Sequence, residues 1–118
     1  MNPAIKAEWV KALTSGEYQQ GETHLKAHGR HCCLGVLCEL HAKATGDEWT
    51  KVKHGVYAYE GASSYPTLKV LNWAGLAEGG SFELIESLRI NGELKSLDIH
   101  NDSGRTFAEI AAAIQEQL

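Results

Sequence analysis

Long hydrophobic runs are absent from this chain of 118 residues. No apolar stretch approaches the roughly 18 residues that a membrane-spanning helix needs, so we expect no insertion into a bilayer. The N-terminus, Met1 to Lys6, also lacks the charged-then-apolar layout of a secretion signal. These absences predict a protein of the cytoplasm.

Cysteine is scarce, and its arrangement disfavours disulfide bonds. The chain has three cysteines, an odd number, and Cys32 is adjacent to Cys33. Adjacent cysteines suit the geometry of a disulfide poorly, whereas reduced thiols are typical of cytoplasmic proteins. We therefore expect the thiols to be free.

An excess of positive charge is also missing. The formal net charge is −4, and acidic and basic residues alternate along the chain without a basic patch. Proteins that bind duplex nucleic acid usually carry such a patch, so nucleic acid is not an expected partner.

What is present fits one compact domain. Hydrophobic residues make up 43% of the chain and charged residues 22%, as is ordinary for a globular protein. A chain of this length buries about two-thirds of its unfolded surface, enough for a core without disulfides. No repeat, linker or low-complexity segment divides it, so residues 1–118 are predicted to form a single α+β domain.

Capping residues and helical spacing predict four helices. Asn2 before Pro3 is typical of a helix start, and Thr106 with Glu109 forms a capping box. The helix that begins at Cys33 has the broadest apolar face and is predicted to be central and most buried. The predicted helices cover residues 3–14, Cys33 to Ala44 (closed by Gly46), 67–74 and 107–118.

The remaining stretches are predicted to be loops and strands. Residues 17–30 indicate a loop with a short extended piece near Tyr18, and residues 49–59 favour strand. Asn91-Gly92, between the runs 82–90 and 93–99, is typical of a hairpin with a type I′ turn. The central and C-terminal helices are therefore expected to pack on a small antiparallel sheet that contains this hairpin.

Residues 24–38 concentrate three histidines and three cysteines, which raises a zinc site as one interpretation. The spacing contains no C-x₂-C pair, and Cys33 and Cys38 are five residues apart and do not share a helix face. Cysteine is among the most buried residue types, so core packing is the alternative. We expect core packing, with no metal and no cofactor.

Nucleophilic catalysis is a second interpretation of the same segment. Cys32 or Cys33 at a helix start would have a lowered thiol pKa, and His100 with Asp102, at the end of a predicted strand, would supply the base. No oxyanion-hole motif accompanies them. A cysteine-dependent hydrolase or transferase is therefore the alternative function, and a non-enzymatic role is preferred.

The segment from Asp98 to Glu109 is spaced like a calcium loop, but its glycine falls one place late. The preceding residues read as strand, so a strand-to-helix turn is the better interpretation. Polar side chains at the start of the last helix then offer an anion-binding surface. The candidate ligand-binding residues here are Asn101, Asp102, Ser103 and Arg105.

Aromatic residues of the middle third form a second candidate surface. Tyr57 and Tyr59 alternate along a predicted strand and so share one face, near Trp49. Such rings stack on bases or other ring systems, although packing under a helix is the competing interpretation.

Three blocks spread along nearly the whole chain carry a resemblance to a known group of proteins. They are residues 9–21 (WVKAL, then SGEYQQG), 32–38 (CCLGVLC) and 101–111 (NDSG, then FAEIA). With these blocks the chain resembles a family of small, mostly uncharacterised proteins encoded by bacteriophages and prophages. The resemblance implies an accessory protein acting in the cytoplasm of the bacterial host, where such proteins often counter host defences.

The function expected from all this is that of an anti-defence binding module. It would sequester a small anionic or nucleotide-like ligand, or block a host bacterial protein. A structural or assembly protein of the phage particle is a further alternative, and a homo-oligomer is compatible with the small size of the chain.

Overall fold

The computed structural model describes residues 1–77, 85 and 87–118. The described elements run in the order α1 (Pro3–Thr14), β1 (Gln19–Gln20), β2 (Lys26–Ala27), β3 (Arg30–His31), α2 (Cys33–Thr45), β4 (Trp49–Lys51), β5 (Val56–Tyr59), α3 (Leu68–Ala74), β6 (Leu88–Ile90), β7 (Glu93–Lys95), α4 (Leu97–Asp102) and α5 (Phe107–Gln117). This is an α+β architecture, as predicted. None of these helices combines the length and the apolar character that crossing a membrane requires.

Helices α1 and α2 begin and end where their capping residues predict. The Asn2 side chain accepts hydrogen bonds from the first-turn amides of α1, ahead of Pro3. Cys32 caps α2 in the same way through its sulfur, and Gly46 ends that helix at φ +78°. Seven residues of α2 are buried, which confirms it as the central helix.

The main sheet has five strands in the order β1-β3-β2-β5-β4 and is mixed, because β1 and β3 pair in parallel. The prediction of a loop over residues 17–30 was therefore incomplete, since that stretch contributes three two-residue strands. Residues 49–59 form two strands rather than one. A turn at His54-Gly55, both at positive φ, separates β4 from β5.

The Asn91-Gly92 hairpin is confirmed, with φ of 51° and 82° at the two turn residues and pairing of β6 with β7. It forms a separate two-stranded sheet instead of joining the main one. The predicted second strand was too long: it ends at Lys95, and the residues from Leu97 onward are helical. The predicted first run, 82–90, is confirmed for Leu88–Ile90, and its positions 82–84 and 86 lie outside the described residues.

The C-terminal helix α5 closes the core from the other side. Its capping box of Thr106 and Glu109 is formed as predicted, and Phe107, Ile110 and Ile114 are buried. It packs mainly against α1 and against β6, while α2 packs against α1, α3 and α4. Strand β3 of the five-stranded sheet contacts α2, and the turns at His28-Gly29 and His54-Gly55 lie at the surface.

Candidate functional site

The three thiols lie inside the core. Cys32 is 4% exposed, and Cys33 and Cys38 are fully buried. Burial raises the pKa of Cys32 to about 11 and also raises the thiol pKa of Cys33 and Cys38 well above the usual value. Because the thiolate is the reactive form, these groups are poor nucleophiles at neutral pH.

The residues predicted to supply the base, His100 and Asp102, form hydrogen bonds with other parts of the fold. His100 lies in helix α4 and not at the end of a strand, as was predicted, and its Nε2 donates to the Leu88 carbonyl at 2.6 Å. The Asp102 carboxylate accepts from the Thr23 amide at 3.0 Å. The hydrogen bonds of both residues are therefore directed to structural partners.

We expect iodoacetamide to label the native protein at neutral pH about 100-fold more slowly than a free cysteine, because a thiol pKa near 11 leaves a far smaller thiolate fraction. In urea the same protein should take up three labels, one for each cysteine. Mass spectrometry of the quenched reaction measures both numbers. Fast labelling of Cys32 or Cys33 in the folded protein would contradict this burial and restore the nucleophile hypothesis.

Asn101 points inward and links three segments. Its Oδ1 accepts from the backbone amide of Cys33 at 3.1 Å and from the Gln20 side chain at 2.9 Å. Its Nδ2 donates to the Gly21 carbonyl at 2.8 Å. At 1% exposure Asn101 is a structural cross-link, and the segment is a helix-to-helix connection instead of the predicted strand-to-helix turn.

The rest of that connection is also occupied by internal contacts. Arg105 forms ion pairs with Glu93 at 3.0 Å and with Glu109 at 3.7 Å, so its charge is neutralised. The first amide of α5, on Phe107, donates to the Gln20 side chain, and the Ser103 hydroxyl donates to the Ile99 carbonyl. These contacts leave little to attract an anion at the start of α5.

The predicted aromatic face exists, and most of it packs under α2. Tyr59 is 1% exposed, and its ring contacts those of Trp49 and His41 at centroid distances of 5.0 and 5.6 Å. Tyr57 lies on the same face and is half-buried. Of the predicted aromatic residues, Tyr57 and Trp49 are therefore half-buried and Tyr59 is buried.

Two lysines flank Tyr57 across the sheet. Lys26 of β2 and Lys51 of β4 are its direct antiparallel partners, and directly opposite residues project to the same face. The Lys26 ammonium lies 4.9 Å from the centre of the Tyr57 ring, and it also contacts the Glu39 carboxylate at 3.4 Å. Tyr57 thus stands between two cations, of which Lys51 is exposed.

Two surface turns meet beside this row. The His28 amide donates to the Gly55 carbonyl at 3.0 Å, which joins the His28-Gly29 turn to the His54-Gly55 turn. His28, Lys51, Lys53 and His54 are all exposed. Within the part of the chain that the structure describes, neither Lys51 nor Lys53 forms an ion pair. We call these four residues and Tyr57 the turn-end cluster.

Sequence reasoning missed the turn-end cluster. Its lysines and His54 lie in one short run, but His28 comes from a turn more than twenty residues earlier and is adjacent only through strand pairing. In the sequence, His28 lies in the same segment as the thiols, residues 24–38. Among the described residues, the His, Asp and Glu side chains close enough to share a metal are His41, Asp47 and Glu60, outside residues 24–38.

A family model matches residues 1–118, the whole chain, and its description is Domain of unknown function (DUF8296). The chain belongs to this family. No curated protein and no solved structure matched the chain. The description of DUF8296 names no activity, so the function of this DUF8296 domain has to be argued from its own geometry.

Proposed function

We propose that the protein is a non-catalytic binding module that holds a small anionic, ring-bearing ligand of the nucleotide type at the turn-end cluster. The observation that carries the proposal is that Lys51, beside the half-buried ring of Tyr57, and the nearby Lys53 are exposed and form no ion pair with any residue that the structure describes. Charge that is not neutralised inside the protein is available to a ligand.

The side chains of the turn-end cluster suit both the anionic part and the ring of such a ligand. Lysine ammonium groups bind phosphate through charge-assisted hydrogen bonds, and His28 and His54 add donors when protonated. A tyrosine ring supports stacking of a base on its face. The buried thiols, by contrast, present no accessible nucleophile, which favours binding over covalent chemistry.

The proposed setting is the cytoplasm of a phage-infected bacterium, where the ligand would be a signal of a host defence system. This part of the proposal rests on the resemblance of the sequence to phage and prophage proteins. The proposed benefit to the phage is removal of the signal from solution by stoichiometric binding.

Isothermal titration with cyclic dinucleotides and ADP-ribose derivatives tests the proposal. We expect heat with at least one of them, and an affinity more than about tenfold weaker in the double variant Lys51→Ala, Lys53→Ala, because each lost charged hydrogen bond costs about 1.5–3 kcal/mol. The matched control is Lys6→Ala, Lys11→Ala on helix α1, which should bind like the native protein. Absence of heat with every compound would retire the small-ligand function.

Blocking of a host protein is the second candidate function, and a different surface favours it. Leu94 on β7 and Ile99 on α4 are 56% and 51% exposed and line the same shallow groove beside Tyr65. Neighbouring exposed apolar side chains are typical of surfaces that bind other proteins. This candidate would take precedence if the titrations gave no heat.

A further inference from the structure

We propose that His41, Asp47 and Glu60 form a binding site for one divalent transition-metal ion, Zn²⁺ or Mn²⁺. The site is separate from the turn-end cluster and does not depend on the function proposed for it. One ring nitrogen of His41 and one carboxylate oxygen from each acidic residue all lie within 4.8 Å of one another.

The fold brings the three residues together from separate elements. His41 lies in the last part of α2, and the left-handed residue Gly46 turns the chain so that Asp47 precedes β4. Glu60 follows β5 in a tight turn with Gly61, at φ of 51° and 83°. Because β4 and β5 are antiparallel, with Trp49 opposite Tyr59, the start of one strand lies beside the end of the other.

The donor set fits the proposed metals. Imidazole nitrogen and carboxylate oxygen are ligands of Zn²⁺ and Mn²⁺, and three protein ligands leave further positions for water or a bound molecule. The ligand atoms of a tetrahedral zinc ion lie about 3.4 Å apart, because each is about 2.1 Å from the metal. Closing the observed separations therefore needs side-chain movements of less than about 1 Å.

His41 contributes a buried imidazole to the cluster. It is 2% exposed, and its Nδ1 shares a hydrogen bond of 2.5 Å with the Tyr59 hydroxyl. The rings of Tyr59 and Trp73 contact the imidazole edge-on and fix its orientation. A second partner that orients the imidazole is a common feature of metal-binding histidines.

The two carboxylates are arranged so that a cation would stabilise them. They lie close together, and the Glu60 carboxylate accepts from the Thr67 hydroxyl at 2.8 Å and pairs with Lys69 at 3.0 Å. Lys69 is 69% exposed and can leave without disturbing the fold.

Titration of the EDTA-treated, dialysed protein with ZnCl₂ and MnCl₂ tests the site. We expect one ion per chain for at least one of the metals, with affinity lowered more than about tenfold in Asp47→Asn and in Glu60→Gln. Asp47→Asn retains the local hydrogen bond from the Glu48 amide to its side chain, so it should fold normally. Glu48→Gln, an exposed neighbour outside the cluster, is the matched control and should bind like the native protein.

Cobalt substitution separates this site from the thiols, because a thiolate ligand gives Co²⁺ a charge-transfer band that nitrogen and oxygen ligands lack. We expect a Co²⁺ spectrum without that band. A thiolate band, unchanged affinity in both Asp47→Asn and Glu60→Gln, or no binding of either metal would each overturn the proposal.

Discussion

The variant Gly35→Ala is expected to lose at least about 3 kcal/mol of unfolding free energy, at the upper end of overpacking costs or beyond. A Cβ at Gly35 would overlap the carbonyl oxygen of Leu25 and lie 2.7 Å from its carbonyl carbon. Leu25 cannot retreat easily, because its amide donates to Ser63 and its carbonyl accepts from Cys32. The first turn of α2 therefore packs directly on backbone.

Whether Gly35→Ala lowers or raises the stability distinguishes steric overlap from helix propensity. Alanine is a better helix former than glycine by about 1 kcal/mol, so propensity alone predicts a more stable variant. The control is Gly46→Ala at the end of the same helix, where φ is +78° and the added Cβ meets nothing within 4 Å. That variant should lose about 1–2 kcal/mol, the cost of a left-handed residue. Urea denaturation followed by circular dichroism measures both, and a Gly35→Ala protein as stable as the native one would refute the close approach.

The helices could be predicted because their information is local. Asn2, Gly46 and the pair of Thr106 and Glu109 mark three helix boundaries through side-chain and backbone geometry within one turn of the chain. The same holds for the Asn91-Gly92 turn, since both residues tolerate positive φ. Each of these features can be recognised in the sequence without knowing which distant residues lie near it.

Three strands of the main sheet, β1, β2 and β3, could not be predicted, because they are too short to show a period. Strands β1, β2 and β3 have two residues each, and alternation needs at least four to be recognised. Their pairing depends on long-range register. The turn between β2 and β3 places His28 at positive φ, and the turn between β4 and β5 places His54 there too. Histidine is tolerated there but is a weak signal in a sequence.

Helix α4 was missed although its spacing is present in the chain. Its buried residues Leu97, His100 and Asn101 fall at i, i+3 and i+4, as a helix requires. The hairpin signal just before them led the run to be read as a continuing strand. Because two of the three residues are polar, the helical stripe did not appear hydrophobic. For the same reason Asn101 was predicted to face a ligand at the surface, whereas it is buried.

Replacement of that residue, Asn101→Ala, is expected to cost about 2–6 kcal/mol of unfolding free energy. The change leaves the Cys33 amide and the Gly21 carbonyl without partners, and each unpaired buried group costs about 1–3 kcal/mol. The Gln20 side-chain amide keeps a hydrogen bond in this variant and adds less to the cost, because it also donates to the Arg105 carbonyl at 2.7 Å. The matched control is Asn72→Ala on the exposed side of α3, which should change stability by less than about 0.5 kcal/mol.

A second substitution, Asn101→Asp, tests whether the two ends of the amide act separately. It keeps the oxygen that accepts from Cys33 and Gln20 but exchanges the donor to Gly21 for an oxygen. Burial and the facing carbonyl oppose ionisation, so the introduced carboxyl should have a pKa above its unfolded value near 4. The variant should then be closest to native stability at low pH, where the neutral acid donates to Gly21, and should lose stability as pH rises through the folded pKa. Urea denaturation between pH 4 and pH 8, compared with the native protein, measures this dependence. A pH-independent difference between the two proteins would mean that Asn101 is not enclosed by the three segments it joins, and its assignment as a ligand-binding residue would return.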